Sequence, residues 1–325
     1  MKTGTQRTLR VAAVQMESKN GLIDDNLKHA TKFVDQAAEK GAKLIVLPEF
    51  MPTGYLFTSA IWNAAEPREG PTVRWLREQS KRLGVWLGTS FLEAEGKDFF
   101  NTFLMTNPNG EEAGRVRKQT PALFEAYFFK GDAGRHVIDT QFGQIGVGIC
   151  YENQLAYIPQ MMHRESVDLL LMPHSAPTPM PNILFSRKQV EGYKRALQRL
   201  AASYSRLLGI PAVMINKCGP WQTPLPGLPF WNQDSTFPGL STIADSDGTV
   251  KAQMGEEEGI IVEDVTLDPS RKTAVQPKCF GRWAMKDRMP LALPRVIEAL
   301  GKVSYSFNSE RKRRARQISF IHLPT

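Results

Sequence analysis

The stretch Ile145-Gly-Val-Gly-Ile-Cys150-Tyr-Glu-Asn-Gln154 places one cysteine where an apolar, glycine-containing run ends and a polar segment begins. A short apolar run bounded by turn signals is typical of a buried strand, and glycine within it indicates close backbone approach. Cys150 is therefore predicted at the C-terminal end of a strand. Because ligands bind at such ends in α/β proteins, Cys150 is a candidate site residue. The same pattern also fits a cysteine that is only a small buried hydrophobe.

The rest of the chain alternates apolar, β-rich runs with helical patterns. Apolar residues recur at helical spacing from Asp24 to Gly41, and again over residues 190–208. Strand, helix and strand in this order predict an α/β fold whose strands are buried under helices. Four prolines before Phe230 predict that residues 220–238 form a loop. The predicted strands cover residues 9–16, 43–47, 85–91, 102–106, 144–150, 168–172, 212–216, 240–244 and 259–265.

The alternation is lost from about Asp268, where lysine, arginine and proline become more frequent. We expect residues 8–268 to form one domain and residues 269–325 to form a C-terminal arm with one short helix over 296–300. Such an arm cannot bury much of its own surface, so it is predicted to wrap over a neighbouring subunit or to stay mobile.

Composition favours a cytoplasmic protein. The 325 residues contain 42% hydrophobic residues, enough for a substantial core. Three cysteines do not make a disulfide framework, and an odd number leaves a free thiol, which favours a reducing compartment. The first residues lack the apolar stretch of a signal peptide, and no run reaches membrane-spanning length, so no membrane association is expected.

The net charge of +8 does not by itself indicate a nucleic-acid partner. Five of the basic residues lie in one short segment, residues 311–316, whereas nucleic-acid binders usually spread basic residues over a folded face. We expect this segment to be solvated or to contact a protein partner. The five histidines are dispersed and do not have metal-ligand spacing with the cysteines, so no metal site is predicted.

Three other segments of the chain end in polar groups. Leu44-Ile-Val-Leu-Pro48-Glu49 ends with a carboxylate, Arg115-Val-Arg-Lys118 with a lysine before a proline turn, and Asp168-Leu-Leu-Leu-Met-Pro173-His174-Ser175 with a proline followed by histidine and serine. Each is weak alone, since a glutamate after a proline is commonly a solvated loop residue. Together with Cys150 they supply a base, a cation and a thiol.

These motifs, in this order and spacing, resemble the nitrilase superfamily of carbon-nitrogen hydrolases over roughly residues 8–268. The matching stretches include Leu47-Pro-Glu49 with Thr53-Gly-Tyr55, Arg117-Lys118, Gly146-Val-Gly-Ile-Cys150-Tyr-Glu152, and Gly239-Leu-Ser241. The resemblance implies a four-layer α-β-β-α sandwich that needs no metal or organic cofactor. It also implies a homodimer or higher homo-oligomer, because members pair through helices near the active site.

The resemblance assigns a catalytic triad to Glu49, Lys118 and Cys150. A second glutamate of the family maps onto Glu125, seven residues after Lys118, although a glutamate paired with a surface cation would fit the sequence there as well. Three further residues are candidates for the oxyanion or substrate contacts: Tyr151, Tyr55 and His174. Trp62, Phe128, Trp221 and Trp231 could line the pocket or belong to the core, Cys218 could border it, and Cys279 is expected to be inert.

The roles of the triad follow from elementary chemistry. A free cysteine has a pKa of about 8.5, so a base or cation must activate it at neutral pH. Glu49 can take the thiol proton and later donate it to departing ammonia. Lys118 and the backbone N–H of Tyr151 can meet the negative charge that develops when the thiolate attacks.

The leading hypothesis is therefore a hydrolase that cleaves a small amide through a cysteine thioester. Tyr151 resembles the amidase branch, whereas Glu152-Asn153 and the spacing from Lys118 to Glu125 lean toward nitrilases, so a nitrile or an N-carbamoyl amino acid is an alternative substrate. An acyltransferase is a remote alternative, since the acyltransferases of the superfamily are membrane proteins. A non-catalytic interaction protein is another, disfavoured because all three triad residues are present.

Overall fold

The computed structural model describes residues 5–179, 181, 186–225, 228–285 and 292–320. Its strands are β1 (Arg7–Gln15), β2 (Leu44–Val46), β3 (Trp86–Glu95), β4 (Asp98–Thr106), β5 (Glu112–Arg117), β6 (Val137–Thr140), β7 (Gly143–Val147), β8 (Leu169–Pro173), β9 (Thr178–Pro179), β10 (Ala212–Ile215), β11 (Cys218–Leu225), β12 (Leu228–Pro238), β13 (Thr242–Ala244), β14 (Val250–Gln253) and β15 (Gly259–Leu267).

The α-helices are α1 (Ile23–Glu39), α2 (Pro71–Leu83), α3 (Tyr157–Arg164), α4 (Arg187–Gln198), α5 (Leu200–Leu208), α6 (Ala292–Phe307) and α7 (Ser309–Ser319). Short 3-10 helices cover Ser59–Ala64, Leu123–Tyr127, Cys150–Gln154 and Pro269–Arg271. None of the helices in the described ranges is both long enough and apolar enough to cross a membrane.

Two six-stranded sheets form the centre of the molecule. The first has the strand order β15-β1-β2-β3-β4-β5, and the second has the order β14-β13-β10-β8-β7-β6. In each sheet the inner strands are parallel, β1 with β2 and β3 in the first and β7 with β8 and β10 in the second. Parallel neighbours send their carboxyl ends to one edge, and that edge is where the predicted site residues lie.

Alternation along β1 shows how the layers are built. Leu9, Val11 and Ala13 belong to the core between the sheets, together with residues of β7, β8 and β10, whereas Ala12 and Val14 pack with α1 and α2. This follows from the two-residue period of a strand. On the far side of the second sheet, α3 and α5 contribute buried apolar residues. The layers are thus helices, sheet, sheet and helices, and the predicted four-layer sandwich is confirmed.

The nine predicted strands are all present, and the strands missed by the sequence are mainly edge strands. β5 was missed because its residues are charged and only half-buried, with Arg115 and Arg117 paired to the buried Glu93 of β3. The helix predicted over 190–208 is present, but it begins earlier and divides at Arg199 into α4 and α5. α5 ends at Gly209, which has a φ of 70°, and a Cβ there would lie 1.8 Å from the carbonyl oxygen of Arg271.

The prediction of a loop over residues 220–238 is wrong. β11 and β12 form an antiparallel hairpin, which β9 joins to make a third small sheet. Pro220 and Pro224 lie on β11, an edge strand of that sheet. A proline has no N–H to donate, but the outer side of an edge strand has no neighbouring strand to accept one, so prolines are tolerated there. The prolines of β11 are thus compatible with a strand.

The C-terminal arm has more structure than the one short helix predicted, because α6 and α7 cover most of its end. α6 packs on the 3-10 helix Leu123–Tyr127, and α7 packs beside β3 and β4. Arg311, in the basic segment expected to be solvated or to contact a protein partner, is 2% exposed and ion-paired with Asp98 of its own chain. The described part of the arm therefore packs on its own chain, and its contact with a second subunit stays a prediction.

Candidate active site

Glu49, Lys118 and Cys150 meet where strands of both sheets end. Glu49 follows β2, Lys118 follows β5, and Cys150 follows β7. Lys118 Nζ lies 2.7 Å from Glu49 Oε1 and 2.8 Å from Glu125 Oε2, and all three side chains are fully buried. Cys150 is 7% exposed. The structure thus brings together the four residues that the resemblance assigned to catalysis.

Glu49 is held by donors on three sides. Its Oε1 accepts hydrogen bonds from Lys118 Nζ and from Asn101 Nδ2, each at 2.7 Å, and its Oε2 accepts one from the backbone N–H of Ser175 at 2.7 Å. The Ser175 hydroxyl also donates to the Glu49 carbonyl oxygen. The carboxylate orientation is therefore fixed before any substrate enters. Sequence reasoning missed Asn101; Ser175 stood in a noted strand-end motif without a role.

Lys118 is a buried cation between two carboxylates. Burial alone would lower the pKa of Lys118, but the negative charges of Glu125 and Glu49 outweigh burial and raise this pKa above its ordinary value. The ammonium is therefore charged at neutral pH. A fixed positive charge in a dry site can stabilise a developing oxyanion without reorganisation.

Glu125 belongs to the same cluster and is not a surface carboxylate. Tyr55 Oη donates to its Oε1 at 2.7 Å, and the backbone N–H of Ala122 donates to its Oε2 at 2.5 Å. Burial raises the pKa of Glu125 to about 6, although Lys118 opposes that rise. Glu125 therefore fixes Lys118 from the side opposite Glu49 and also ties Tyr55 to the cluster.

Cys150 lies on a sharp turn that its neighbours make possible. Its φ is 53°, which is uncommon for a residue with a side chain and indicates strain at a functional site. A Cβ on Gly148 would lie 2.1 Å from Asn153 Oδ1, and one on Gly146 would lie 2.2 Å from the Met162 sulfur. Only glycine allows this close packing under the turn, which explains the glycines of the opening stretch.

Burial is the main reason that the pKa of the Cys150 thiol is raised, and the negative charge of Glu49 adds to the effect while Lys118 opposes it. The resting side chain is therefore a neutral thiol. A nucleophile in this state needs a base to take its proton during attack, and Glu49 is the buried, hydrogen-bonded carboxylate whose charge acts most strongly on it.

Glu152, which the motifs contain but to which no role was given, connects the loop of Lys118 with the turn of Cys150. Its carboxylate accepts from the backbone N–H groups of Gln119 at 2.7 Å and Ile149 at 3.1 Å, and it pairs with His136 at 3.3 Å. Burial would raise the pKa of Glu152, but His136 and the other donors lower it. The charged carboxylate therefore holds the two catalytic segments in register.

The remaining site candidates have separate surroundings. The Tyr151 hydroxyl donates to Glu298 Oε1 at 3.0 Å, on α6, so that the side chain faces the arm. The Tyr55 hydroxyl is hydrogen-bonded to Glu125, as described above. His174 is buried after β8, with Nδ1 2.7 Å from the carbonyl oxygen of Met172. Among the described contacts, the Tyr55 hydroxyl is hydrogen-bonded directly to one of the four assigned catalytic residues, Glu125.

Aromatic side chains form a cluster beside Tyr55 and Glu125. Trp221 Nε1 donates to the Tyr55 carbonyl oxygen at 2.5 Å, and Phe128 stacks on Phe57 with ring centroids 6.1 Å apart. Trp62 is 2% exposed and donates to the carbonyl oxygen of Phe128. The side chain of Trp231 lies outside the described residues. These aromatic rings are therefore buried core next to the site.

The other two cysteines do not adjoin the cluster through any described contact. Cys218 is buried at the start of β11, and the Cys279 Sγ lies 3.7 Å from the carbonyl oxygen of Ala156. A cavity of about 380 Å³ is lined by the β11–β12 hairpin and Glu256 rather than by the catalytic cluster. In the described part of the chain, no group of three or more His, Cys, Asp or Glu side chains could hold a metal ion.

Comparison with known proteins identifies the family. A family model described as carbon-nitrogen hydrolase matches residues 10–274. The chain is 28% identical over 296 residues to an N-carbamoylputrescine amidase of Solanum lycopersicum, covering 87% of this chain and 93% of that protein. It is 31% identical over 183 residues to a nitrilase of Pyrococcus abyssi (strain GE5 / Orsay), covering 53% of this chain and 69% of that protein.

A solved structure has the same fold. The carbon-nitrogen hydrolase from Helicobacter pylori G27 aligns with a TM-score of 0.71 at 20% sequence identity, covering 82% of this chain and 91% of that chain. The family match over residues 10–274 confirms the resemblance. The protein belongs to the carbon-nitrogen hydrolase family, the nitrilase superfamily, and is a hydrolase.

Proposed function

We propose that this enzyme hydrolyses a small carboxamide to a carboxylate and ammonia, through a thioester on Cys150. The observation that carries the proposal is the buried cluster in which Lys118 lies 2.7 Å from Glu49 and 2.8 Å from Glu125, beside a cysteine on a strained turn. It offers a base, a fixed cation and a nucleophile at one place. The similarity to an N-carbamoylputrescine amidase supports chemistry at an amide-like carbon.

In the first half-reaction, Glu49 takes the proton of the Cys150 thiol as the sulfur attacks the carbonyl carbon. The C–S bond forms and the electron pair of the C=O bond moves to oxygen. Lys118 and the backbone N–H of Tyr151 stabilise the negative charge on that oxygen. Glu49 then gives its proton to the nitrogen, the C–N bond breaks, and ammonia leaves a thioester.

In the second half-reaction, water attacks the thioester carbon while Glu49 takes a proton from the water. The C–S bond breaks, the carboxylic acid leaves, and Glu49 returns the proton to the sulfur. Glu125 holds the Lys118 ammonium from the other side throughout, so that the cation does not turn toward Glu49 alone. Apart from the substrate and water, every group that these steps use belongs to this chain.

Amide and nitrile substrates differ after the first attack. A nitrile gives a thioimidate that must take up water and expel ammonia before the thioester forms, whereas an amide reaches the thioester in one elimination. Tyr151 favours the amidase branch, and amide hydrolysis is the broader activity of the family. We therefore expect purified enzyme to release ammonia from at least one carboxamide faster than from the nitrile with the same carbon skeleton.

The measurement is ammonia release across matched amide and nitrile pairs, with ω-amides and N-carbamoyl amino acids included as the alternative substrates. The Cys150→Ala variant provides the blank for each compound. A consistent preference for nitriles across the pairs would replace the amide proposal with a nitrilase and leave the triad as it is. Faster release from N-carbamoyl compounds than from every amide would favour a carbamoyl hydrolase.

We also propose that the enzyme is a cytoplasmic homodimer or larger homo-oligomer. Three free cysteines support a reducing compartment. Association is supported by α6, where Val296, Leu300, Val303 and Phe307 recur at helical spacing and are 54%, 57%, 57% and 83% exposed. A contiguous apolar stripe of this kind on a helix marks an interaction surface more often than an ordinary surface.

If this stripe lies between subunits, replacing Leu300 and Val303 together by aspartate should reduce the mass in solution to that of one subunit. Burying a carboxylate without a partner in an apolar contact is strongly unfavourable. Light scattering measures the mass, and Lys302→Ser, at an exposed position of α6 outside the stripe, is the control. A wild-type mass of one subunit would contradict the oligomer, and an unchanged larger mass in the variant would place the contact elsewhere.

A further inference from the structure

The C-terminal arm reaches the turn that carries the nucleophile. The backbone N–H of Ala156 donates to the carbonyl oxygen of Arg282 at 2.8 Å, and the backbone N–H of Ala284 donates to that of Gln154 at 2.8 Å. The Tyr151 ring also meets the Trp283 ring edge to face, with centroids 6.3 Å apart. The arm therefore packs along the 3-10 helix that begins with Cys150.

A buried carboxylate at the centre of this contact is not used by the proposed reaction. Glu298 of α6 is 6% exposed, accepts the hydroxyl hydrogen of Tyr151 at 3.0 Å, and pairs with Arg282 Nη2 at 2.6 Å. Tyr151 is itself 3% exposed. Burial and the negative charge of Glu298 raise the pKa of Tyr151, so the hydroxyl stays protonated and donates.

The same helix also supports the other side of the site. Gly301 of α6 packs on the 3-10 helix that carries Glu125, and a Cβ on Gly301 would lie 2.8 Å from Ala126 Cβ and 2.9 Å from Tyr127 Cδ2. Glu298 and Gly301 are one helical turn apart, and both lie outside residues 10–274, which match the family model. One added helix thus contacts the neighbours of both Cys150 and Glu125.

We propose that Glu298 is a positioning residue for the nucleophile, acting through the Tyr151 hydroxyl. Cys150 has a φ of 53°, and a strained backbone of this kind persists only where the surrounding structure over-determines it. Anchoring Tyr151 fixes the residue that follows the nucleophile and supplies the backbone N–H aimed at the oxyanion. Without the anchor, the thiol and this donor lose their fixed geometry.

The test compares Tyr151→Phe, which removes only the hydroxyl, with Glu298→Gln and the double variant. We expect each single variant to lower kcat by about tenfold with KM changed less than about twofold, since small misplacements of reacting groups act on the rate. The double variant should be no slower than the slower single variant, because both changes break one connection. Glu310→Gln, the same substitution in an exposed ion pair on α7, should have wild-type kinetics.

A second readout does not depend on the substrate. The rate constant for alkylation of Cys150 by iodoacetamide, followed by mass spectrometry, should fall in the same variants and show the same lack of additivity. If no amide is turned over, the proposed function fails but this rate still decides the present proposal. A Tyr151→Phe variant with wild-type kcat and a wild-type alkylation rate would overturn the proposal. So would a double variant whose loss equals the product of the two single losses. If Glu298→Gln does not fold, Tyr151→Phe alone decides the proposal.

Discussion

Replacing Cys150 by alanine is expected to abolish turnover, by more than about 10⁴-fold in kcat, while leaving the fold intact. Loss of a catalytic nucleophile removes the covalent path and not merely one stabilising contact. The fold should survive because the change deletes a single sulfur atom, and the turn is held by other bonds. Asn153 Nδ2 donates to the carbonyl oxygens of Gly148 at 2.6 Å and of Cys150 at 3.2 Å.

The measurements are ammonia release from the preferred amide and the thermal unfolding midpoint. Cys218→Ala is the matched control, because Cys218 is also buried, at 3% exposure, and follows β10 without contact to the triad in the described hydrogen bonds. It should retain wild-type kcat. Normal turnover in Cys150→Ala would refute the thioester mechanism, and loss of turnover in both variants would point to a general effect of removing buried sulfur.

The elements that the sequence could predict are those whose signal is local. The parallel strand β8 is buried along its whole length and appears as a continuous apolar run, so it was located from the sequence alone. The resemblance assigned Glu49, Lys118 and Cys150 from short motifs, in which Glu49 and Cys150 follow apolar runs and Lys118 precedes a proline turn. Gly146 and Gly148 were also understood correctly, as positions where another element approaches closely.

The parts that could not be predicted depend on contacts between distant residues. Glu298 is 147 residues from its partner Tyr151, and Asn101 is 52 residues from Glu49. A buried carboxylate or amide has no pattern in the sequence that distinguishes it from a solvated one. The length of the amphipathic helix α6 was underestimated for a related reason. Its apolar stripe is exposed, and its buried face includes Glu298 and Gly301.

Lys118→Met is expected to lower kcat by about 10²- to 10³-fold, with a much smaller change in KM. The carbonyl oxygen of a bound amide carries little charge, but in the tetrahedral transition state it carries nearly a full negative charge. A preorganised donor at that position typically contributes about 3 to 4 kcal/mol to the transition state only. The buried ammonium, fixed between Glu49 and Glu125, meets this requirement.

The same substitution also leaves two buried carboxylates facing each other without their cation. Breaking a buried ion pair typically destabilises a protein by about 3 to 5 kcal/mol, so kcat must be measured per folded molecule at a temperature below the unfolding transition. Lys130→Met is the control, because Lys130 pairs with Asp98 at 3.0 Å but its side chain is 53% exposed. It should change neither kinetic constant, since an exposed pair contributes little.

Initial rates over a range of amide concentrations separate the two constants for both variants. A large fall in kcat with KM nearly unchanged means that Lys118 interacts more strongly with the transition state than with the bound amide. An increase in KM with kcat retained would instead mean that Lys118 binds substrate and transition state equally, and the oxyanion would then depend on the backbone N–H of Tyr151. That outcome would make the anchoring of Tyr151 by Glu298 the larger contribution to the rate.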